Sequence, residues 1–132
     1  MDYIAAAYRE VIAETRAIAP DAGPAPADEA AVYEWMAAST AHLSAEQQLA
    51  RDAMVLKQSL KHAIALGDVA VLRRVTCPRC ACWSLFWRKE DRRVACFNRR
   101  CRDRHGLPST WVLQQLALRQ VTMRAARSRA AT

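Results

Sequence analysis

Five cysteines offer the most distinctive chemistry in this sequence, and four of them form two close pairs. The pairs are Cys77 with Cys80 and Cys96 with Cys101. Thiolates are preferred ligands of zinc, which takes four of them at tetrahedral corners with Zn–S distances of about 2.3 Å. Two residues separate the members of the first pair and fifteen separate the two pairs, so a turn and a hairpin can bring all four sulfurs to one ion. The sequence therefore predicts a zinc ion held by these four thiolates.

Other thiol and imidazole groups lie near this pattern. Cys82 follows the first pair by two residues and is expected to be a small buried hydrophobe that points away from the ion. His105 follows the second pair by four residues and could replace a cysteine as ligand. His42 and His62 have no partner at metal spacing and are expected to be ordinary surface or interhelical residues. The alternative to metal binding is that the paired cysteines are simply buried and reduced.

The predicted metal site does not favour catalysis. A catalytic zinc keeps an open position, typically with three protein ligands and a water, whereas four thiolates close the site. A redox role for the first pair is also disfavoured, because that pair does not follow a strand and open a helix. The sequence contains no His-Glu-x-x-His motif and only three glycines, too few for a phosphate-cradling loop. We expect that the protein is not an enzyme.

The residues between the cysteine pairs predict a β-hairpin. Trp83, Leu85 and Trp87 alternate with the intervening side chains at the two-residue period of a strand. Residues 89–92 form a plausible turn, and residues 93–97 supply the returning strand. We expect the face of Trp83, Leu85 and Trp87 to form the core of the ribbon or its seam with the helices. The rings of Trp83, Phe86 and Trp87 could instead stack on unpaired bases.

Helical periodicity predicts four helices, over residues 3–18, 29–39, 45–66 and 110–126. Asp28 can cap the second helix. Ser44 and Gln47 have the spacing of a capping box at the start of the third, and Gly67 stands where a helix commonly ends. The expected fold is therefore mainly α, with a small zinc-stabilised β-hairpin between an N-terminal helical part and a C-terminal helix.

From about residue 72 to residue 105 the chain resembles the zinc-ribbon family, in which two metal knuckles hold a small antiparallel sheet. Ala81 stands where ribbon knuckles commonly have glycine, and the second cysteine pair has four intervening residues instead of two. These departures indicate a looser or treble-clef-like site. The stretch that continues through Thr110 and Trp111 also resembles small uncharacterised proteins of actinobacteria and their phages and plasmids, a likeness that implies no established activity.

Charge divides the chain into two halves. Residues 1–68 carry ten acidic and five basic residues, a net charge of −5, whereas residues 69–132 carry three acidic and fifteen basic residues, a net charge of +12. An acidic helical domain over 1–68 and a basic zinc ribbon with a C-terminal helix over 69–132 are therefore expected. No run of 18 apolar residues is present, so we expect no membrane partner. Paired cysteines that favour metal over disulfides predict a reducing, cytoplasmic location.

The basic half predicts a polyanionic partner. Like charges crowded on a small domain repel one another unless a partner neutralises them, and nucleic acid is a common one. The candidate nucleic-acid-binding residues are Arg88, Lys89, Arg92, Arg93, Arg99, Arg100, Arg102, Arg104, Arg119 and Arg124. DNA is expected more than RNA, and the alternative is that these arginines form a solvated or internally paired surface.

The last predicted helix adds a second route to DNA. Gln114, Gln115, Arg119 and Gln120 could read base edges in a major groove, although packing of the helix against the ribbon is the simpler use. We expect a DNA-binding regulatory or accessory protein, such as one of a phage or mobile element. The alternative is an adaptor whose acidic helices bind one protein and whose ribbon docks on a nucleic-acid machine such as RNA polymerase.

Overall fold

The computed structural model describes residues 3–130, so residues 1–2 of the predicted first half and residues 131–132 of the predicted second half lie outside the described residues. The α-helices are α1 (Tyr3–Ile18), α2 (Val32–Ser39), α3 (Ala45–Ala65) and α4 (Leu113–Ala130). The strands are β1 (Leu85–Arg88), β2 (Arg93–Cys96) and β3 (Thr110–Trp111), and short 3₁₀ helices cover Glu29–Ala31 and Val69–Arg74. A mainly helical chain with a small antiparallel sheet before its last helix is confirmed.

Two compact units make up the chain. The first unit ends at Gln58 and the second begins at Ser59, so the division falls within α3. The change in charge comes later, at residue 68, because the balance of acidic and basic residues does not have to change where the packing divides. Independent folding of 1–68 and 69–132 stays a prediction.

The first unit has a small core built by α1, α2 and the start of α3. Val11, Val32, Met36 and Met54 are buried together. Near this core the ammonium group of Lys57, on α3, pairs with the carboxylates of Glu10 and Glu14 on α1. The side chain of Lys57 is only 7% exposed, so the two carboxylates replace water as its partners.

Both ends of α3 have the caps that the sequence predicts. The Gln47 backbone N–H donates to Ser44 Oγ at 3.2 Å, and the Ser44 N–H donates to Gln47 Oε1 at 3.1 Å, which completes the capping box. At the other end Gly67 has a φ of +85°, and its N–H and that of Asp68 donate to the carbonyls of Ile64 and Ala63. This is a Schellman ending, which requires the left-handed conformation that glycine adopts without strain.

The hairpin forms as predicted and gains a third strand. Strand β1 pairs antiparallel with β2, with Leu85 opposite Cys96 and Arg88 opposite Arg93. Strand β3 then pairs with the other edge of β2, so that the order is β1-β2-β3. Residues 110–111 were expected to start the last helix, and this was wrong. Extended backbone there satisfies the open hydrogen-bonding edge of β2, and α4 begins at Leu113 instead.

The expected aromatic face of the hairpin is only partly correct. Leu85 is fully buried and Trp87 is half-buried, but Trp83 is 63% exposed. Strand pairing in β1 starts at Leu85, so Trp83 lies in the bend before the strand and not on its inner face. The prediction extended the two-residue period beyond the segment that pairs.

Candidate metal centre and its surroundings

The four paired cysteines come together in the second unit. Cys77 Sγ lies 3.8 Å from Cys101 Sγ, and Cys80 Sγ lies 3.7 Å from Cys96 Sγ. All four sulfurs lie within 4.8 Å of one another, and three of the four residues are buried. One metal ion could therefore contact all four thiolates.

The first knuckle is a tight turn closed by backbone hydrogen bonds. The Ala81 N–H donates to the Cys77 carbonyl at 2.9 Å, and the Cys77 N–H donates to the Cys82 carbonyl at 2.9 Å. The Arg79 N–H points at Cys77 Sγ from 3.4 Å. Ala81 has a φ of +62°, in the left-handed region that favours glycine. The residue that departs from the ribbon pattern therefore occupies a position whose backbone conformation favours glycine.

The second knuckle accommodates its two additional residues by an asparagine turn. Asn98 Oδ1 accepts a hydrogen bond from the Arg100 N–H at 3.1 Å, and the Asn98 carbonyl accepts one from the Cys101 N–H at 2.9 Å. A side chain that mimics backbone in this way is a common function of asparagine in turns. The longer spacing thus still returns Cys101 to the other sulfurs.

Two serine hydroxyls contact the cluster and were not predicted from the sequence. Ser84 Oγ lies 2.9 Å from Cys96 Sγ, and Ser109 Oγ lies 3.4 Å from Cys101 Sγ. Both serines are buried. Ser109 reaches the cluster because its carbonyl accepts from the Cys96 N–H, next to the β2–β3 pairing. No local spacing signals this contact, since it depends on a strand that the sequence predicted as helix.

Arg79 contacts the serine that lies beside Cys101. Its guanidinium donates to Ser109 Oγ at 3.0 Å and to the Arg102 carbonyl at 2.7 Å. Arg79 therefore fixes the hydroxyl that contacts Cys101 and ties the first knuckle to the segment after the second.

The thiols differ in acidity according to their surroundings. Burial raises the pKa of Cys77 well above its ordinary value. Burial also acts to raise the pKa of Cys80, but hydrogen bonds from the Cys82 backbone, the Asn98 side chain and the neighbouring cysteines outweigh it and lower the pKa to about 6. The pKa of Cys80 therefore lies below that of Cys77.

Cys82 and His105, the other candidate metal ligands, lie outside the cluster of four sulfurs. Cys82 is exposed, which contradicts its expected burial, and it accepts a hydrogen bond from Asn98 Nδ2 at 3.5 Å. Its position beyond the tight turn of the first knuckle directs it outward. His105 is exposed, and its side chain contacts Arg104. Among the described residues, neither belongs to the group of side chains that could hold a metal.

The predicted nucleic-acid-binding residues divide into two groups. Arg88 pairs with Asp91 of the turn between β1 and β2, and Arg93 Nε donates to Thr110 Oγ1 of β3 at 3.0 Å. Both arginines are half-buried. The others are exposed, namely Lys89, Arg92, Arg99, Arg100, Arg102, Arg104, Arg119 and Arg124.

A polar cleft of about 340 Å³ lies beside the first knuckle. Its lining includes Arg79, Asp103, Gln115 and Arg119. The N–H groups of Leu107 and His105 donate to Asp103 and hold the pKa of that carboxyl below its ordinary value. The cleft therefore contains two guanidinium groups and one ionised carboxylate.

The residues of α4 that were expected to read base edges do not all lie on one exposed surface. Gln114 and Gln115 are exposed, but Gln120 is only 3% exposed and does not form part of an accessible polar face with them. Leu116, Ala117 and Val121 of α4 are buried as well. One side of α4 is therefore a packing surface, and Gln120 lies on it because it follows Leu116 by four residues.

Comparison of the chain with protein-family models, with curated proteins and with solved structures gives no match in any of the three. Within residues 3–130, none of the helices has the length and apolar character needed to cross a membrane.

Proposed function

We propose that this chain is a zinc-ribbon protein that binds nucleic acid, with DNA as the expected partner, in a regulatory or accessory role. The observation that carries the proposal is a closed cluster of four cysteine sulfurs within a strongly basic unit. Thiolate ligation of this kind suits a reducing compartment, in keeping with a cytoplasmic location.

The sulfur geometry supports zinc as the metal. A tetrahedron with about 2.3 Å from centre to corner has edges of about 3.8 Å. Two of the six sulfur separations, 3.8 Å for Cys77–Cys101 and 3.7 Å for Cys80–Cys96, match such edges, and all six lie within 4.8 Å. The Ser84 and Ser109 hydroxyls could each donate to a metal-bound thiolate, which orients the ligand and disperses its charge.

A structural role for the metal follows from the number of ligands. Four thiolates fill the four positions that zinc normally uses in structural sites and leave no place for a reacting water. The proposed zinc therefore joins the two knuckles and holds the small sheet, and binding to a partner is assigned to the surface around it.

The charge of the second unit supports a polyanionic partner. Residues 59–132 contain sixteen basic and four acidic residues, a net charge of +12. Of the four acids, Asp91 is paired with Arg88, and Asp103 accepts two backbone N–H groups. Eight of the ten predicted contact residues are exposed, so most of the positive charge is presented to solvent. Phosphates that bind there would release condensed cations, which drives association.

Fluorescence anisotropy with labelled duplex DNA, single-stranded DNA and RNA tests the proposal on the whole zinc-loaded chain. The binding constant should fall with salt, with a logarithmic slope of about −0.9 for each phosphate contact on duplex DNA. Replacing Arg99 and Arg100 together with alanine should weaken binding to all sequences about equally and flatten the slope by up to about two units.

The matched control is the double change Arg9→Ala and Arg16→Ala. It removes the same charge from two exposed arginines of the acidic half and should leave the slope unchanged. Lack of affinity for all three nucleic acids at about 50 mM salt would rule out the proposal. The adaptor function, in which the ribbon docks on a protein, would then take its place.

A further inference from the structure

The pairing of β1 with β2 places aromatic and basic side chains on one face of the sheet. Phe86 lies opposite Ala95, and Arg88 lies opposite Arg93. Side chains alternate between faces along a strand, so these four residues share a face. The Phe97 ring contacts the Phe86 ring, which puts Phe97 on that same face. We call Phe86, Arg88, Arg93 and Phe97 the outer face.

The opposite face of the same hairpin carries most of its buried side chains, and Ala95 is a buried residue of the face that carries Phe86. Leu85, Val94 and Cys96 are each no more than 1% exposed. The aromatic rings of the outer face are 39% exposed for Phe86 and 60% exposed for Phe97. These two exposed rings contact each other, and contiguous exposed apolar patches mark interaction sites more often than single exposed side chains do.

The two rings lie side by side as a diagonal cross-strand pair. Their centroids are 6.2 Å apart, and the ring planes are inclined by 48°. Beside them, Arg88 and Arg93 stand directly opposite each other, an arrangement of like charges that destabilises a hairpin. Asp91 and Thr110 engage these guanidinium groups only in part, because each arginine has further N–H donors.

We propose that the outer face is a stacking platform for unpaired bases, which makes single-stranded nucleic acid the partner of this surface. The inference rests on the proposed function and specifies the form of nucleic acid. Phe86 and Phe97 would each stack on a base, while Arg88, Arg93 and the exposed Arg99 and Arg100 that follow Phe97 lie near the phosphates. A duplex cannot use the phenyl rings in this way, because its base faces are already stacked on one another.

Charge complementarity favours this partner over an apolar protein surface. A protein that covered two phenyl rings would also have to cover the opposed arginines and desolvate them. A single strand instead offers an apolar base face and a phosphate at each nucleotide, and aromatic rings combined with basic residues are the usual means of binding such strands.

A variant that keeps apolar area but removes the rings provides the test. Phe86→Leu with Phe97→Leu is compared with the unaltered zinc-loaded chain on an oligothymidine of about 12 nucleotides and on a duplex of the same length. We expect the affinity for the single strand to fall between about 5-fold and about 150-fold, and the affinity for the duplex to change less than about twofold. Phe86→Tyr with Phe97→Tyr keeps both rings and should bind the single strand as the unaltered chain does.

Leu118→Ala is the control for loss of exposed apolar surface, because Leu118 is 48% exposed and belongs to α4 and not to the strands. It should leave both affinities unchanged. Zinc content and far-ultraviolet circular dichroism report whether each variant is folded. Should the double leucine variant fail to fold, Phe97→Leu alone, at the more exposed ring, carries the same test.

The outcomes separate the platform from the broader proposal. Undiminished binding of the single strand by the leucine variant overturns the platform, even where salt-dependent binding to DNA persists. An equal loss on single strand and duplex also overturns it, because that result describes a general contact and not stacking. If the unaltered chain binds no nucleic acid, both proposals fail together.

Discussion

Cys77 and Cys101 lie 24 positions apart in the chain, yet their sulfur atoms are 3.8 Å from each other. Cys80 and Cys96 make the equivalent approach at 3.7 Å across the hairpin. Each approach closes a loop, and closing a loop loses chain entropy that a small sheet offsets poorly. A metal ion that binds all four sulfurs would supply the missing stabilisation, and the first two predictions concern this dependence.

The zinc-loaded protein should contain about one zinc per chain. Cys96→Ser should lose this zinc, because the change removes one of the four clustered sulfurs. Cys82→Ser should keep it, since Cys82 is exposed and outside the cluster. Elemental analysis after gel filtration measures both, and zinc loss in Cys82→Ser with retention in Cys96→Ser would show that the ligand set is wrong.

A strong chelator should unfold the chain from about residue 70 onward and leave most of the helix signal of residues 3–66. Metal binding contributes on the order of 10 kcal/mol to the folding of small zinc modules, whereas the first unit has its own buried core of Val11, Val32, Met36 and Met54. Hydrogen exchange read by mass spectrometry locates the change. Unaltered protection along the whole chain after zinc removal would contradict this dependence.

Ala81→Gly should stabilise the zinc-loaded protein by up to about 1 kcal/mol. A left-handed conformation is unfavourable for alanine by roughly 1–2 kcal/mol, and glycine removes this strain. Glycine also raises the entropy of the unfolded chain, which offsets part of the stabilisation. Thermal unfolding monitored by circular dichroism measures the effect. Ala126→Gly, in the exposed right-handed backbone of α4, is the control and should destabilise by about 1 kcal/mol. A loss of stability in both variants would refute the strain at Ala81.

Lys57 should make the first unit sensitive to alkaline pH. Burial lowers the pKa of Lys57, but hydrogen bonds and charge from Glu14 and Glu10 outweigh it and raise that pKa above the ordinary value of 10.5. A raised pKa of a cation contributes stability that is complete below the unfolded value and is lost as pH rises through the folded one. The contribution should therefore be constant near neutral pH and disappear above about pH 10.5.

Two variants isolate this contribution. Lys57→Met alone leaves the two carboxylates without their cation and should lower the free energy of unfolding at pH 7 by at least about 1.5 kcal/mol. Adding Glu10→Gln and Glu14→Gln should recover most of the loss. The advantage of the unaltered chain over Lys57→Met should narrow as pH rises past about 10.5, and a difference independent of pH would exclude the ion pair as its origin.

Features that depend on near neighbours in the chain were predictable from sequence. Helix α1 spans residues 3–18 as its periodicity indicates, and the caps at Ser44 and Gly67 form because each is completed within a few residues. The cysteine cluster was predictable for a related reason. Two short spacings and one hairpin length limit which sulfurs can meet.

Tertiary structure alone decided the features that depend on distant pairing. Thr110 and Trp111 form a strand because the edge of β2 needs hydrogen-bond partners, and no residue near them signals that edge. The same pairing carries Ser109 to Cys101. Exposure of Phe97 and burial of Gln120 likewise depend on which surfaces other elements cover, a property of the packed chain and not of local spacing.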